Sequence, residues 1–163
     1  MRYIITTVRQ APTIMVWGSF SGNGRAGLYF LPKNTSVNAQ KYISVLEEKL
    51  LLNMQVHNCS VFQHDGAPCH RAATVTKWLK DHQVAVLGPW PGSSPDLNPI
   101  ENLWHFMKRK VAEKNPSSEK ELISAIKHVW VTEITPDYCR NLARSMPDRI
   151  KAVLANKGGH TRY

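Results

Sequence analysis

Short apolar runs alternate with turn residues over the first third of the chain, and apolar residues recur at helical spacing over the last third. Tyr3 to Val8 is rich in β-branched residues and predicts a strand. Thr13 to Phe20 and Ala26 to Leu31 flank Ser-Gly-Asn-Gly-Arg, the pattern of two strands joined in a hairpin. Asn38 to Leu52 predicts a helix, with Tyr42, Val45, Leu46 and Lys49 near helical spacing and Asn38 as its cap. Cys59 to Gln63 predicts a short buried strand, Arg71 to His82 a helix and Val84 to Leu87 a further strand. Gly88 to Pro99 is dense in proline and predicts a shaped loop. Three helices are then expected: Pro99 to Lys114, Ser118 to Thr132, and Pro136 to about Asn156. The first carries Ile100, Leu103, Trp104, Met107 and Val111 on one stripe, and Ser118 with Glu121 forms a capping box for the second. This order predicts a single α/β domain over residues 1–163, with a mixed sheet flanked by helices.

Composition narrows the class. With 42% hydrophobic and 20% charged residues, the 163-residue chain is globular and long enough for a sizeable core. No apolar run has the length of a membrane helix, and the first residues lack the pattern of a signal peptide, so no membrane partner is expected. Three scattered cysteines without a Cys-x-x-Cys pair fit reduced thiols inside a cell. The net charge of +9 favours a polyanionic partner, with an ordinary basic protein as the alternative. Charge is uneven: no Asp or Glu precedes Glu47.

Two acids stand where chemistry is expected. Asp65 follows a predicted strand, and ligands of open α/β sheets bind beyond strand carboxyl ends. Glu101 falls in the first turn of a predicted helix after a proline-rich loop. The intervening helix and strand would return the chain to the same sheet edge, and two converging carboxylates suit a hard cation such as Mg²⁺. Each acid also has a purely local reading. Asp65 before Gly66 is a turn aspartate, as is Asp96 after Pro95. Asn98, Pro99 and Glu101 form a helix start, with Asn98 as cap and Glu101 reaching back to the cap N–H. His64, Cys69 and His70 cluster near Asp65, but their spacing matches no standard zinc finger. Lys108, Arg109, Lys110, Lys114 and Lys127 are candidate phosphate contacts or a solvated helix face. Trp17, Trp90 and Trp104 read as packing residues rather than base-stacking platforms.

Three blocks carry a resemblance: F-Q-H-D-G-A-P-C-H at Phe62 to His70, W-L-K-D-H at Trp78 to His82, and W-P-G-S-S-P-D-L-N-P-I-E-N-L-W at Trp90 to Trp104. They resemble the catalytic domain of Tc-one/mariner transposases. I-M-V-W-G-S-F-S-G-N-G-R-A-G-L is similar to that family's early hairpin, and the closing G-G-H-T-R-Y to its C-terminus, expected here to be native. The resemblance implies an RNase H-like (retroviral integrase-like) fold and an Asp-Asp-Glu triad holding two Mg²⁺ or Mn²⁺ ions. It implies an enzyme that cuts double-stranded DNA at transposon ends and joins the 3′ ends to target DNA in the nucleus, generally as a homo-oligomer. By position, Asp65 matches the second aspartate and Glu101 the glutamate.

The sequence departs from the pattern in two places. The segment between Asp65 and Glu101 is one residue longer than is common in the family, with the extra residue in L-G-P-W. The first aspartate has no counterpart among residues 1–46, which contain no acid at all. The family's helix-turn-helix DNA-binding region is also absent from this sequence. Two carboxylates leave one ion of a pair without its bridging ligand, so the chain alone is expected not to transpose and to have at most trace nuclease activity. The alternative is a non-catalytic nucleic-acid-binding or interaction remnant.

Overall fold

The structure, a computed structural model, describes residues 12–33, 35–91, 94–159 and 161–163. The strand expected over Tyr3 to Val8 lies outside them. Strands β1 (Val16–Ser21) and β2 (Gly24–Phe30) form the expected antiparallel hairpin, joined by Gly22 and Asn23, with Gly24 at φ +138° closing the turn. The register shifts between Gly18 and Phe20, where the Ser19 hydroxyl takes up the Gly27 N–H at 3.0 Å. Strands β3 (Val61–Phe62) and β4 (Ala85–Val86) pair in parallel, joined by helix α2 (Ala73–Asp81). Among the described residues the strands thus make two small sheets.

Helix α1 spans 39–56 in three parts: α-helical Ala39–Val45, a π-helical stretch Leu46–Leu50, and α-helical Leu51–Val56. It runs beyond the Leu52 end expected from the pattern. Asn38 caps it as expected, its side chain accepting from the Lys41 N–H at 2.9 Å. The C-terminal half holds α3 (Ile100–Ala112), α4 (Glu119–Thr132), α5 (Pro136–Arg144) and α6 (Met146–Ala155). The single long helix expected after Pro136 is two helices, broken at Ser145. Pro147 stands in the first turn of α6, where the missing N–H costs nothing; within a continuous helix it would remove a hydrogen bond. Among the described residues no helix is long and apolar enough to cross a membrane.

The hairpin separates two apolar cores. One joins Tyr42, Ile43, Leu46 and Leu50 of α1 to Phe62, Val75, Trp78, Leu79 and Val84, with Trp17 of the hairpin packed on it. The other joins Leu103, Met107 and Val111 of α3 to Ile126, Val129, Trp130, Ile134 and Cys139, with Val16, Phe20, Leu28 and Phe30 of the hairpin packed on it. Alternation along β1 sends Val16 and Trp17 to opposite faces, so helices cover both sides of the hairpin. Both approaches are close. A Cβ on Gly18 would stand 2.6 Å from Cη2 of Trp104 on α3, and one on Gly27 would stand 2.6 Å from the Asn53 side chain on α1.

These contacts predict the effect of one methyl group. Gly18→Ala is expected to cost about 1–3 kcal/mol, because Trp104 and Trp130 must shift to admit it. Gly22→Ala, whose Cβ would meet Ala143 at an ordinary 3.7 Å, is expected to change stability by less than about 0.5 kcal/mol. Urea unfolding of the two variants measures the contrast.

Candidate active site

Asp65 follows β3 by three residues, and its Oδ1 accepts two bonds: the Ala67 N–H at 3.0 Å and the His70 ring Nδ1–H at 2.6 Å. The turn reading of Asp65 is therefore physically present, since a side chain bonding the backbone two residues on shapes the Gly66 turn. The carboxylate stays half exposed, and Oδ2 has no partner among the described residues. One oxygen fixes the carboxylate while the other remains free to accept.

Behind Asp65 lies an aromatic stack. The Tyr42 ring packs on His70 with centroids 3.9 Å apart, and the Tyr42 hydroxyl donates to Nδ1 of His64 at 3.3 Å. Burial, reinforced by His70 and partly opposed by Asp65, pushes the His64 pKa down to about 4. His64 is thus neutral near pH 7 and able to accept from Tyr42. Burial pushes the Tyr42 hydroxyl well above its usual range, which keeps it a donor. This is a packed support for the Asp65 turn. Among the described residues no group of three His, Cys, Asp or Glu side chains is placed to hold a metal ion, so His64, Cys69 and His70 are not a zinc set.

Glu101 arrives by a different route. Ser94 precedes a 3₁₀ turn over Pro95–Leu97, Asn98 is extended, and α3 begins at Ile100. The expected cap contact is not made. The residue before the helix is Pro99, which has helical angles and makes no side-chain cap. Counted from Pro99, the first residue with helical angles, Glu101 holds the third position, but the Asn98 N–H that it would reach already donates to the Pro95 carbonyl at 3.1 Å. Its carboxylate is exposed and has no hydrogen-bond or ion-pair partner among the described residues. Ser118 of α4 shows the contrast: its hydroxyl accepts from the Glu121 N–H at 3.2 Å, while Glu121 takes both the N–H and hydroxyl of Ser117. Those bonds hold the Glu121 carboxyl below its usual pKa.

The two acids, 101 − 65 = 36 positions apart, line one open cleft of about 290 Å³ with Gly66, Ala67, Trp90, Pro91, Ser94, Pro95 and Asn98. Gln63, two residues before Asp65, donates to the Leu97 carbonyl at 3.3 Å and ties the two walls together. Trp90 is a wall of the cleft and belongs to neither core, unlike Trp17 and Trp104. Asp96 faces away from this work: its carboxylate accepts from Leu97 N–H and from the Thr161 hydroxyl.

The candidate phosphate contacts scatter. At 100° per residue, Glu101, His105 and Lys108 share one exposed face of α3, so Lys108 extends the line from the cleft. Arg109 sits over the Phe106 ring, Lys110 pairs with Glu113 at 3.3 Å, Lys114 lies at the far end beside α4, and Lys127 sits over Phe30. Sequence reasoning missed two arginines. The exposed Arg71 side chain lies beside Gly66, 3.9 Å from where a Cβ would stand, and has no ion pair among the described residues. The fully buried Arg149 grips the loop before Glu101. Nothing local marks either: Arg71 is one basic residue among many, and the partners of Arg149 are distant in sequence.

The donor set fits a divalent cation of the hard class. Asp65 Oδ2 and the Glu101 carboxylate are oxygens free of other bonds among the described residues, in a cleft open to water, the donor type such a cation takes. Among the described residues no third carboxylate joins them.

An α/β domain with an acid-lined cleft at a strand end is the layout of metal-dependent nucleases, and residues 4–123 match the family model of the DDE superfamily endonucleases; the chain belongs to that family. It is 31% identical over 99% of its length to the transposable element Tcb2 transposase of Caenorhabditis briggsae. It is likewise 31% identical over 93% of its length to the transposable element Tc3 transposase of Caenorhabditis elegans. The chain spans only 59% and 46% of those two proteins. Among solved structures it is similar to the Mos1 transposase catalytic domain with Raltegravir and Mg, with a TM-score of 0.74 and 23% identity over 91% of this chain and 76% of that one. It is also similar to Mos1 in its strand transfer complex, with a TM-score of 0.82 and 23% identity over 99% of this chain and 50% of that one. These likenesses establish the RNase H-like fold.

Two measurements check the site. Glu101→Gln is expected to leave stability within about 0.5 kcal/mol of wild type, whereas Ser118→Ala loses about 1 kcal/mol with its cap. The His64 ring should titrate by NMR near pH 4. Because its folded pKa lies below the unfolded value of 6.5, the unfolded chain takes up the proton first. Stability is then unaffected by His64 above pH 6.5 and falls as pH drops from there towards 4. That loss should shrink in His64→Phe.

Proposed function

We propose that this chain is the catalytic domain of a DNA transposase, with Asp65 and Glu101 as its metal-binding carboxylates and double-stranded DNA as its partner in the nucleus. The observation that carries the reading is that these two acids, from distant parts of the sequence, line one cleft with unbonded oxygens. Relatives solved with Mg and with Mn support a divalent cation. When bound, such an ion supplies Lewis-acid activation of a phosphodiester and of the attacking water or 3′-hydroxyl. The chain's own part is to hold the acids at a fixed separation and to leave the cleft open on the side where a DNA backbone would enter. Lys108, continuing the exposed face of α3, and Arg71, beside the Asp65 turn, are placed to meet phosphates there.

We further propose that this chain alone is catalytically silent. The reading rests on the lack of any acid before Glu47, and on the lack of a third ligand beside the two acids among the described residues. A DNA-binding remnant is the second reading that this observation favours. As purified, the chain is expected to bind duplex DNA with an affinity that falls steeply with salt, and Lys108→Ala should lower the salt slope by about one. Incubated with supercoiled DNA and Mn²⁺, it is expected to give no robust nicking. Nicking that disappears in Asp65→Ala would show the pair of acids to be sufficient and would overturn the silent reading.

A further inference from the structure

The buried Arg149 has no role in the reading above, yet its contacts converge on the Glu101 segment. Its side chain is 2% exposed and makes no ion pair among the described residues. Burial pushes its pKa down and the nearby Tyr163 and Asp96 oppose this only in part, so its donors must be used well. Nη1 donates to the Asp96 carbonyl at 2.6 Å, Nη2 to Oδ1 of Asn102 at 2.7 Å, and Nε to the Ser145 hydroxyl at 2.8 Å. The Tyr163 ring covers the guanidinium at 4.7 Å. Thr161, from the same terminal segment, donates to Oδ2 of Asp96 at 3.1 Å.

We propose that Arg149 is a positioning residue: its fork binds Asp96 and Asn102, on either side of Glu101, and so fixes where that carboxylate stands relative to Asp65. The proposal rests on the metal-site reading of the cleft but concerns a different residue. The Glu101 side chain has no bond among the described residues, so its position comes from the backbone on either side. Before it, the 3₁₀ turn is held from one wall by Gln63 and from the other by Arg149. After it, Asn102 is held by the same guanidinium. A planar group with donors in fixed directions reaches two acceptors at once; an ammonium on a flexible stem does not reproduce that geometry. The break at Ser145 belongs to the same device. Ser145 ends α5 and its hydroxyl takes Nε, which sets the direction in which the fork leaves α6.

The test compares wild type with Arg149→Lys by hydrogen exchange. The amides of Leu97, Asn98 and Glu101, whose acceptors are Ser94, Pro95 and Asn98, should exchange at least about tenfold faster in the variant. Those of Met107 and Val111 in α3 and of Leu46 in the other core should change much less. Unchanged loop exchange overturns the proposal, and so does a uniform rise across both cores, which would mark a merely structural arginine. If Arg149→Lys does not fold, Asn102→Ala removes one acceptor alone and must show the same local acceleration; its absence overturns the proposal. A second measurement is Mn²⁺ affinity by loss of the free-ion electron paramagnetic resonance signal. Arg149→Lys should weaken binding about tenfold, the low end for losing a group that orients a metal ligand, here through the backbone that carries Glu101, and Glu101→Gln should abolish it. Wild-type binding that is unchanged in Arg149→Lys overturns the positioning role. If wild type binds no Mn²⁺, the metal reading of the cleft fails and the exchange pattern alone decides the role of Arg149.

Discussion

Where helix α3 lies depends on one steric fact: the indole of Trp104 rests against backbone that carries no side chain, at Gly18 of the hairpin. Any Cβ there would lever the helix outward and carry Glu101 with it. Gly27 allows an equally close approach of α1 from the opposite side. A strand pair covered on both faces needs apolar residues on both faces, which is why adjacent β1 residues, Val16 and Trp17, are both apolar and serve different cores. The layered helix–hairpin–helix arrangement, the two cores and the position of the cleft all follow from that double packing.

The two acids of the cleft are held in opposite ways. Asp65 is fixed through its own atoms: a backbone N–H and a histidine occupy one oxygen, and the histidine is backed by Tyr42. Glu101 is fixed only through the chain that bears it, by a short rigid loop with proline at both ends and a helix anchored through Leu103 and Met107. An oxygen that already accepts two hydrogen bonds is a poorer ligand, while a carboxylate without partners loses none on meeting a cation. In the proposed reading one acid therefore defines the place of the ion and the other closes on it.

Much of this was legible in the sequence, because much of it is local. The hairpin turn, the α3 stripe and the caps at Asn38 and Ser118 each depend on residues a few positions apart. The convergence of Asp65 and Glu101 was legible only through topology, as a strand, a helix and a strand returning to one edge. Three features were not. The cap contact of Glu101 is not made, because the 3₁₀ turn before it already satisfies the Asn98 N–H with the Pro95 carbonyl. The break at Ser145 was hidden by apolar spacing that continues across Pro147. The grip of Arg149 could not be read at all, since Asp96 lies 53 positions away and Asn102 lies 47. A neutral carbonyl and an amide oxygen leave no charge pattern to betray such a partner.

The cleft lies on a seam. Asp65 extends from the strand that packs into the α1–α2 core, and Glu101 from the helix that builds the α3–α4 core. Each core draws its contacts mainly from its own half of the chain, with the hairpin shared between them. By linkage, anything that grips both carboxylates stabilises only the arrangement in which both cores are intact. Such a ligand would act as a rivet, coupling the melting of one half to that of the other, and its binding strength would be readable in how sharply the whole chain unfolds.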